Sequence, residues 1–263
     1  MQGTLVHPPE ILKLLAHEIR WTLLHHLARS DYRVQELVAK LQLPQNLVSY
    51  HLRQLRSGHI ITERRSNADE RSVYYSLDLE QLLNLYLDVA DELHPALRAK
   101  RQSEFPQQWD LPQPPLRVLF LCTENSARSQ MAEALLRHLS CGDVQVESAG
   151  SSPGERVHPF ALRVMQEAGI DMSHAAPKHL DLFREERFDA IVTVCDRARE
   201  VCPTFPGEPE HIHWSLQDPA LIQGSEEVRF YAFKQTAEQL TSRLRFLLPL
   251  LEQAYKDARG QSA

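Results

Sequence analysis

From Pro9 onward, apolar residues recur three and four apart at Ile11, Leu14, Leu15, Ile19, Leu23, Leu24 and Leu27, which predicts one long amphipathic helix. Val34 to Leu41 repeats that spacing over a shorter length. A further helix is predicted from the first-turn proline Pro44 to Ser57, with Gly58 as its stop. Ile60 to Arg65 and Ser72 to Leu77 read as extended segments joined by the polar turn SNADER. Leu79, Leu82, Leu83, Tyr86, Val89, Ala90, Leu93 and Leu97 then mark one face of a longer helix. After residue 115 the pattern alternates. Strands are predicted at Leu116 to Leu121, Val144 to Ala149, Phe188 to Val194 and Ile212 to Trp214, and helices from about Ser129 to Leu139, Pro159 to Ala168 and Glu226 to Tyr255. That alternation predicts an α/β domain with a parallel sheet of about four strands flanked by helices. Between the halves, residues 100–115 read KRQSEFPQQWDLPQPP, and their prolines predict a semi-rigid linker. The expected organisation is two domains: a mainly α winged helix-turn-helix domain at 1–99 and the α/β domain at 116–263.

Composition changes this picture at three points. The 263 residues carry a net charge of −6, which argues against indiscriminate nucleic-acid binding. Residues 1–100 are neutral, with 12 basic and 12 acidic side chains, and the remainder holds the whole negative charge. Four cysteines, Cys122, Cys141, Cys195 and Cys202, are too few for a disulfide scaffold, and all lie in the second half. No apolar run approaches membrane length and the first ten residues lack a signal-peptide pattern, so a cytoplasmic protein with no membrane partner is expected.

The segment 34–57 has the form helix, turn at LQLP, helix. On the second helix Gln45, Asn46, Ser49, Tyr50 and Arg53 supply polar groups, while Val48, Leu52 and Leu55 fall opposite. Asparagine suits adenine and arginine suits guanine or phosphate. Lys40, Arg53, Arg56, Arg64 and Arg65 face only Glu63 between residues 37 and 65, so a neutral domain carries a basic stripe. A solvated helical hairpin with ordinary surface arginines is the structural alternative. Residues 9–97, through LKLLAHEIRWTLLHHL, VQELVAKLQLPQNLVSYHLRQLRSGHI and VYYSL, resemble the ArsR-type winged-helix repressors. The resemblance implies a homodimer through the first and last helices, on palindromic operator DNA, with the Leu79 to Leu97 face as a dimer seam. Metal sensors of that family often carry a Cys-x-Cys pair where this chain reads DYRVQELV. Zinc ligation by His17, His25 and His26, or by Asp88, Asp91 and His94, remains a minor alternative, and no metal site is expected.

After the strand LRVLFL comes CTENSARSQMAEALLRHL. Cys122, the loop Thr123, Glu124, Asn125, Ser126, Ala127, and then Arg128 and Ser129 stand at a strand-to-helix junction. Such a loop can turn successive backbone N–H groups onto one tetrahedral oxyanion, with the helix start adding positive potential. Arg128 can clamp the anion in bidentate fashion, and the same field is expected to lower the Cys122 pKa. Ser129 can donate to the sulfur, and Asn125 can brace the loop in left-handed geometry. This segment resembles the low-molecular-weight tyrosine phosphatase fold, and within it the arsenate reductase branch, through Ser126 and the run SQMAE. Glu124 stands where the family commonly has glycine, and Lys178 where potassium-binding members have an acid. The resemblance implies a relay. Cys122 attacks arsenate, Cys195 displaces arsenite to leave a 122–195 disulfide, and Cys202 resolves it to a 195–202 disulfide that thioredoxin reduces. It also implies that Asp218 is the general acid. No bound cofactor is expected, only thioredoxin as reductant. An intact helix would set residues 195 and 202 about 10.5 Å apart along its axis, so DRARE is expected to unwind. Cys141 matches no motif and reads as structural.

The expected function is an arsenic-responsive transcriptional regulator fused to a thioredoxin-coupled arsenate reductase, with arsenate, arsenite, thioredoxin and operator DNA as partners. The alternatives are a regulator with a non-catalytic oxyanion- or thiol-sensing domain, and a tyrosine phosphatase fused to a DNA-binding domain. With no thiol in the first half, an arsenic signal is expected to enter through Cys122, Cys195 and Cys202.

Overall fold

The computed structural model describes residues 7–94 and 115–260, with side chains as far as Gln253. They form two compact units, one from the helices and hairpin strands of the first half and one from the α/β segment, to which residues 66–69 of the hairpin turn are assigned. The predicted linker lies outside the described residues but for its last proline.

In the first unit the expected opening helix is two: α1 (Glu10–Leu15) and α2 (Glu18–Leu27). His17 breaks the run by going extended, and its Nδ1 accepts from Ile19 N–H at 3.2 Å, capping α2. Arg20 covers the carbonyls of Leu14 and Lys13 at 2.7 Å each, so the end of α1 is satisfied by a side chain from the next helix. A two-residue strand with too few residues for a periodic signal, β1 (Tyr32–Arg33), precedes α3 (Val34–Leu41) and α4 (Gln45–Ser57). Val48, Leu52 and Leu55 are fully buried, each stabilising the fold by roughly 1.5–3 kcal/mol. Gly58 caps α4 without left-handed geometry. Its φ is −83°, and His59 is the left-handed residue at 57°. A Cβ there would lie 2.3 Å from Leu14 Cδ1, so a larger residue would oblige the end of that leucine side chain to shift. The hairpin β2 (Ile61–Arg65) and β3 (Val73–Leu77) completes an antiparallel sheet in the order β1-β3-β2, and α5 (Leu79–Leu93) follows.

The second unit contains β4 (Arg117–Cys122), α6 (Arg128–Leu139), β5 (Gln145–Gly150), α7 (Pro159–Glu167), β6 (Ala190–Thr193), α8 (Asp196–Glu200), β7 (Glu210–His213) and α9 (Glu226–Gly260). The sheet is wholly parallel, in the order β5-β4-β6-β7. Val118 to Leu121 form its buried centre, with Met131 and Leu136 of α6 and Leu240, Leu244 and Leu247 of α9. Central β4 pairs Cys122 with Gly150 and Leu121 with Thr193, so the ends of three strands meet around the cysteine loop. Cys141, expected to be structural, is an exposed residue of the turn after α6 with φ 50°. Among the described residues, no helix is long and apolar enough to cross a membrane, and no group of three His, Cys, Asp or Glu side chains could hold a metal.

Candidate active site

Cys122 ends β4 and is buried. The loop after it leads straight into α6, whose first residue is Arg128. Asn125, at φ 50°, turns its backbone N–H onto Cys122 Sγ at 3.0 Å, and Ser129 Oγ lies 2.8 Å from the same sulfur. The left-handed bracing role expected of Asn125 is present. Its side chain, however, points away from the cleft and donates through Nδ2 to Ser129 Oγ and Ser148 Oγ at 2.8 Å each. Asn125 was grouped with the oxyanion-binding residues, and only its backbone fits that place. Gly150, opposite Cys122, makes the loop possible. A Cβ there would lie 2.5 Å from the Thr123 carbonyl oxygen and 3.0 Å from the Asn125 nitrogen.

Cys122, Thr123, Glu124, Ser126, Ala127, Arg128, Cys195 and Asp218 line one cleft. Arg128 and Asp218, ninety residues apart, meet in a 2.5 Å ion pair, and Arg128 Nη1 also donates to the Leu216 carbonyl at 3.0 Å. The guanidinium expected to clamp an oxyanion is thus held by the proposed acid. Glu124 is exposed, and its Oε2 accepts from the Ser126 hydroxyl at 3.1 Å.

The expected lowering of the Cys122 pKa is overturned. Burial pushes the thiol up, with the neighbouring Cys195 adding to the shift, and this outweighs the downward pull of Arg128, Ser129 and the Asn125 N–H. Cys195 is buried and caps α8, accepting from Ala198 N–H at 3.3 Å. Thr123 Oγ1 lies 3.4 Å from its sulfur. Cys202 is half-buried outside the cleft, with its thiol pushed up to about 11 by burial. All four cysteines are free thiols. Helix α8 is the DRARE segment itself, so five of the six residues between Cys195 and Cys202 are helical.

Sequence reasoning missed the polar scaffold behind the loop. Ser148 Oγ donates to Glu133 Oε2 at 2.6 Å, and Lys178 Nζ lies 3.5 Å from that oxygen and 2.5 Å from Glu147 Oε2. It also missed a buried cluster beside Cys195, in which Ser215 Oγ donates to Asp196 Oδ1 at 2.8 Å and His213 Nε2 lies 3.2 Å from the same oxygen. Pairs so distant in sequence leave no periodic or spacing signal.

In the first unit, Gln45, Asn46, Tyr50 and Arg53 lie exposed on α4 and Ser49 is half-buried beside them. Arg56 is tied to Glu63, which reduces the predicted basic stripe, and Arg64 Nη1 donates to the Arg65 carbonyl at 2.8 Å. Arg65 is exposed at the end of β2.

The family described as low molecular weight phosphotyrosine protein phosphatase matches residues 117–258, and the bacterial regulatory protein arsR family matches residues 17–62. An arsenate reductase of Halalkalibacterium halodurans is 35% identical over 128 residues, covering 49% of this chain and 91% of the relative. One of Brevibacillus brevis is 43% identical over 103 residues, covering 39% and 76%. A solved thioredoxin-dependent arsenate reductase of Corynebacterium glutamicum is 24% identical, covers 89% of this chain and 98% of its own, and has a TM-score of 0.43.

Proposed function

Because the chain belongs to the low molecular weight phosphotyrosine protein phosphatase family, with an arsR-family segment ahead of that domain, we propose that it joins a thioredoxin-coupled arsenate reductase to an arsenic-responsive DNA-binding regulator. The observation that carries the reductase reading is the second thiol. Cys195 lines the same cleft as Cys122. Hydrolysis of a phosphate ester needs a nucleophile, an arginine and an acid, whereas reduction of arsenate needs two electrons, which a pair of thiols can supply.

The chemistry then runs as follows. The Cys122 thiolate attacks arsenic(V), and an arsenate oxygen leaves as water with protons supplied through Asp218. For this, the bound oxyanion exchanges with Asp218 on the Arg128 guanidinium. The Cys195 thiolate attacks Cys122 Sγ, the electron pair of the S–As bond stays on arsenic, and arsenite departs as arsenic(III). Cys202 attacks Cys195, regenerating the Cys122 thiol, and the dithiol of thioredoxin reduces the 195–202 disulfide. Thr123, beside the Cys195 sulfur, orients the second thiol.

On the regulator side, α4 supplies the base-reading face and the hairpin supplies phosphate contacts along operator DNA. Trp21 of α2 and Leu83, Tyr86 and Leu93 of α5 are large, exposed and apolar, the surface a homodimer through the first and last helices would cover. The rival sensing role draws support from two carboxylates, Glu124 and Asp218, at one anion cleft.

The test is an arsenate reduction assay with thioredoxin and its reductase, beside a phosphatase assay on the same preparation. Wild type is expected to reduce arsenate over many turnovers, and Cys195→Ser to lose that activity by at least about a hundredfold. Phosphatase turnover without arsenate reduction would establish the ester-hydrolysing reading, and binding without either activity the sensing one.

A further inference from the structure

The loop from Cys122 to Arg128 sorts its hydrogen-bonding groups between two sides. On one side the carbonyls of Cys122, Thr123, Glu124 and Ser126 accept from N–H groups of the segment 151–158, at 2.8 to 3.2 Å. With those acceptors engaged away from the cleft, the loop meets an anion with N–H groups, beside the Arg128 guanidinium. The acceptors at the cleft come from side chains. Asp218 has both oxygens engaged, Oδ2 with Arg128 at 2.5 Å and Oδ1 with Ala220 N–H at 3.0 Å. Ser126 gives its one hydroxyl proton to Glu124 Oε2 at 3.1 Å. The other oxygen of Glu124, Oε1, accepts no hydrogen bond among the described residues, and the side chain is exposed. Burial and Arg229 lower the pKa of the half-buried His158, while Asp218 and Glu124 both pull against them, so the two carboxylates share one neighbourhood.

A cleft so furnished suits an oxyanion that brings protons as well as lone pairs. A bare oxygen needs a donor and finds one in a loop N–H or the guanidinium, whereas a hydroxyl needs an acceptor. Arsenate and phosphate keep at least one hydroxyl at neutral and mildly alkaline pH, and sulfate has none. We propose that Glu124 is a specificity-determining residue that accepts from a hydroxyl of the bound oxyanion and so selects arsenate and phosphate over sulfate. A sulfate oxygen turned towards Glu124 would set acceptor against acceptor and leave both unsatisfied. The acceptor stands at the mouth of the cleft, on a loop residue next to neither Cys122 nor Arg128 in sequence, so it chooses the anion without occupying the place of the nucleophile. The inference rests on this cleft being the oxyanion site.

The experiment measures how inorganic phosphate and sulfate protect Cys122 from iodoacetamide in the full chain, read by mass spectrometry of the Cys122 peptide. Steady-state arsenate reduction is followed beside it, with the same two anions as inhibitors. At about pH 8 both anions are chiefly dianions of similar size and only phosphate carries a hydroxyl, so charge is matched and the proton is the variable. Wild type is expected to need about tenfold more sulfate than phosphate for half protection, the scale of one hydrogen bond to a charged group. Glu124→Ala, which removes the acceptor, is expected to bring the two anions within about twofold of each other. Glu124→Gln, whose amide can donate to a bare oxygen, is expected to improve protection by sulfate about tenfold. Equal protection of wild type by both anions overturns the proposal, as does a wild-type ratio that persists in both variants. Should one variant fail to fold, the ratio in the other decides. Discrimination that depends on Glu124 in a chain that does not reduce arsenate would retire the reductase reading and uphold the selectivity of the cleft. Arsenate turnover that neither anion inhibits, with no protection of Cys122, would overturn the selectivity and leave the reductase reading in place.

Discussion

Cys122 carries opposed influences at one sulfur, and burial outweighs the cation and the hydrogen bonds. A thiol shifted upward is protonated at neutrality, and its nucleophilic form grows as pH rises. Arsenate reduction is therefore expected to increase from neutrality to about pH 9 in kcat/KM, before any other group intervenes. A profile that is flat or falling across that range would contradict the buried, protonated resting thiol. Cys202, pushed up to about 11, is expected to react only once it is exposed, so the 122–195 disulfide should accumulate more at the acid end of the same profile. At this scale the meeting of Cys122, Arg128 and Ser129 was legible because all lie within eight consecutive residues. Glu133, Ser148 and Lys178 were not, because their meeting depends on the pairing of β4 with β5 and on a loop that returns beside Gly150.

Among elements, the proposed regulator reading divides DNA recognition between α4 and the hairpin. Arg53 is exposed on the polar face of α4 and Arg64 is on β2. Arg53→Ala is expected to weaken operator binding by about 1–3 kcal/mol and relax base preference. Arg64→Ala is expected to weaken all duplexes alike and reduce the salt slope by about one. Titrations at several salt concentrations on operator and scrambled duplexes check this, and equal affinity of both variants with wild type would remove these elements from the interface. Elements of eight or more residues with one apolar face were readable in advance. The opening helix was misread as continuous because apolar spacing runs through the break, while the signal that ends α1 is the reach of Arg20 back to Lys13 and Leu14. Gly58 was legible as the stop of α4, whereas its approach to Leu14, 44 positions earlier in sequence, was not, because no local rule anticipates that contact.

For the whole molecule the placement of sulfur decides where arsenic can act. Every cysteine lies at or beyond residue 122, so the regulator unit offers no thiol, and arsenic(III) is a thiophilic ion for which imidazole and carboxylate are poor ligands. A regulator of this composition that answers to arsenite must take the signal through the reductase cysteines. A ligand shifts DNA affinity only by binding the two states of the protein unequally. On the proposed relay, a 195–202 disulfide would require Cα atoms within about 7 Å, and α8, which lies between the two cysteines, is the element whose rearrangement would carry the signal. Arsenite and mild oxidation are therefore both expected to release operator DNA from wild type in a fluorescence anisotropy assay. The Cys195→Ser/Cys202→Ser double variant is expected to hold DNA under both treatments while keeping its unliganded affinity. Release from the variant at wild-type arsenite concentrations would show that the signal is read away from these thiols. Release of neither protein would make the two units independent in function, a reductase and a DNA-binding unit that share only a chain.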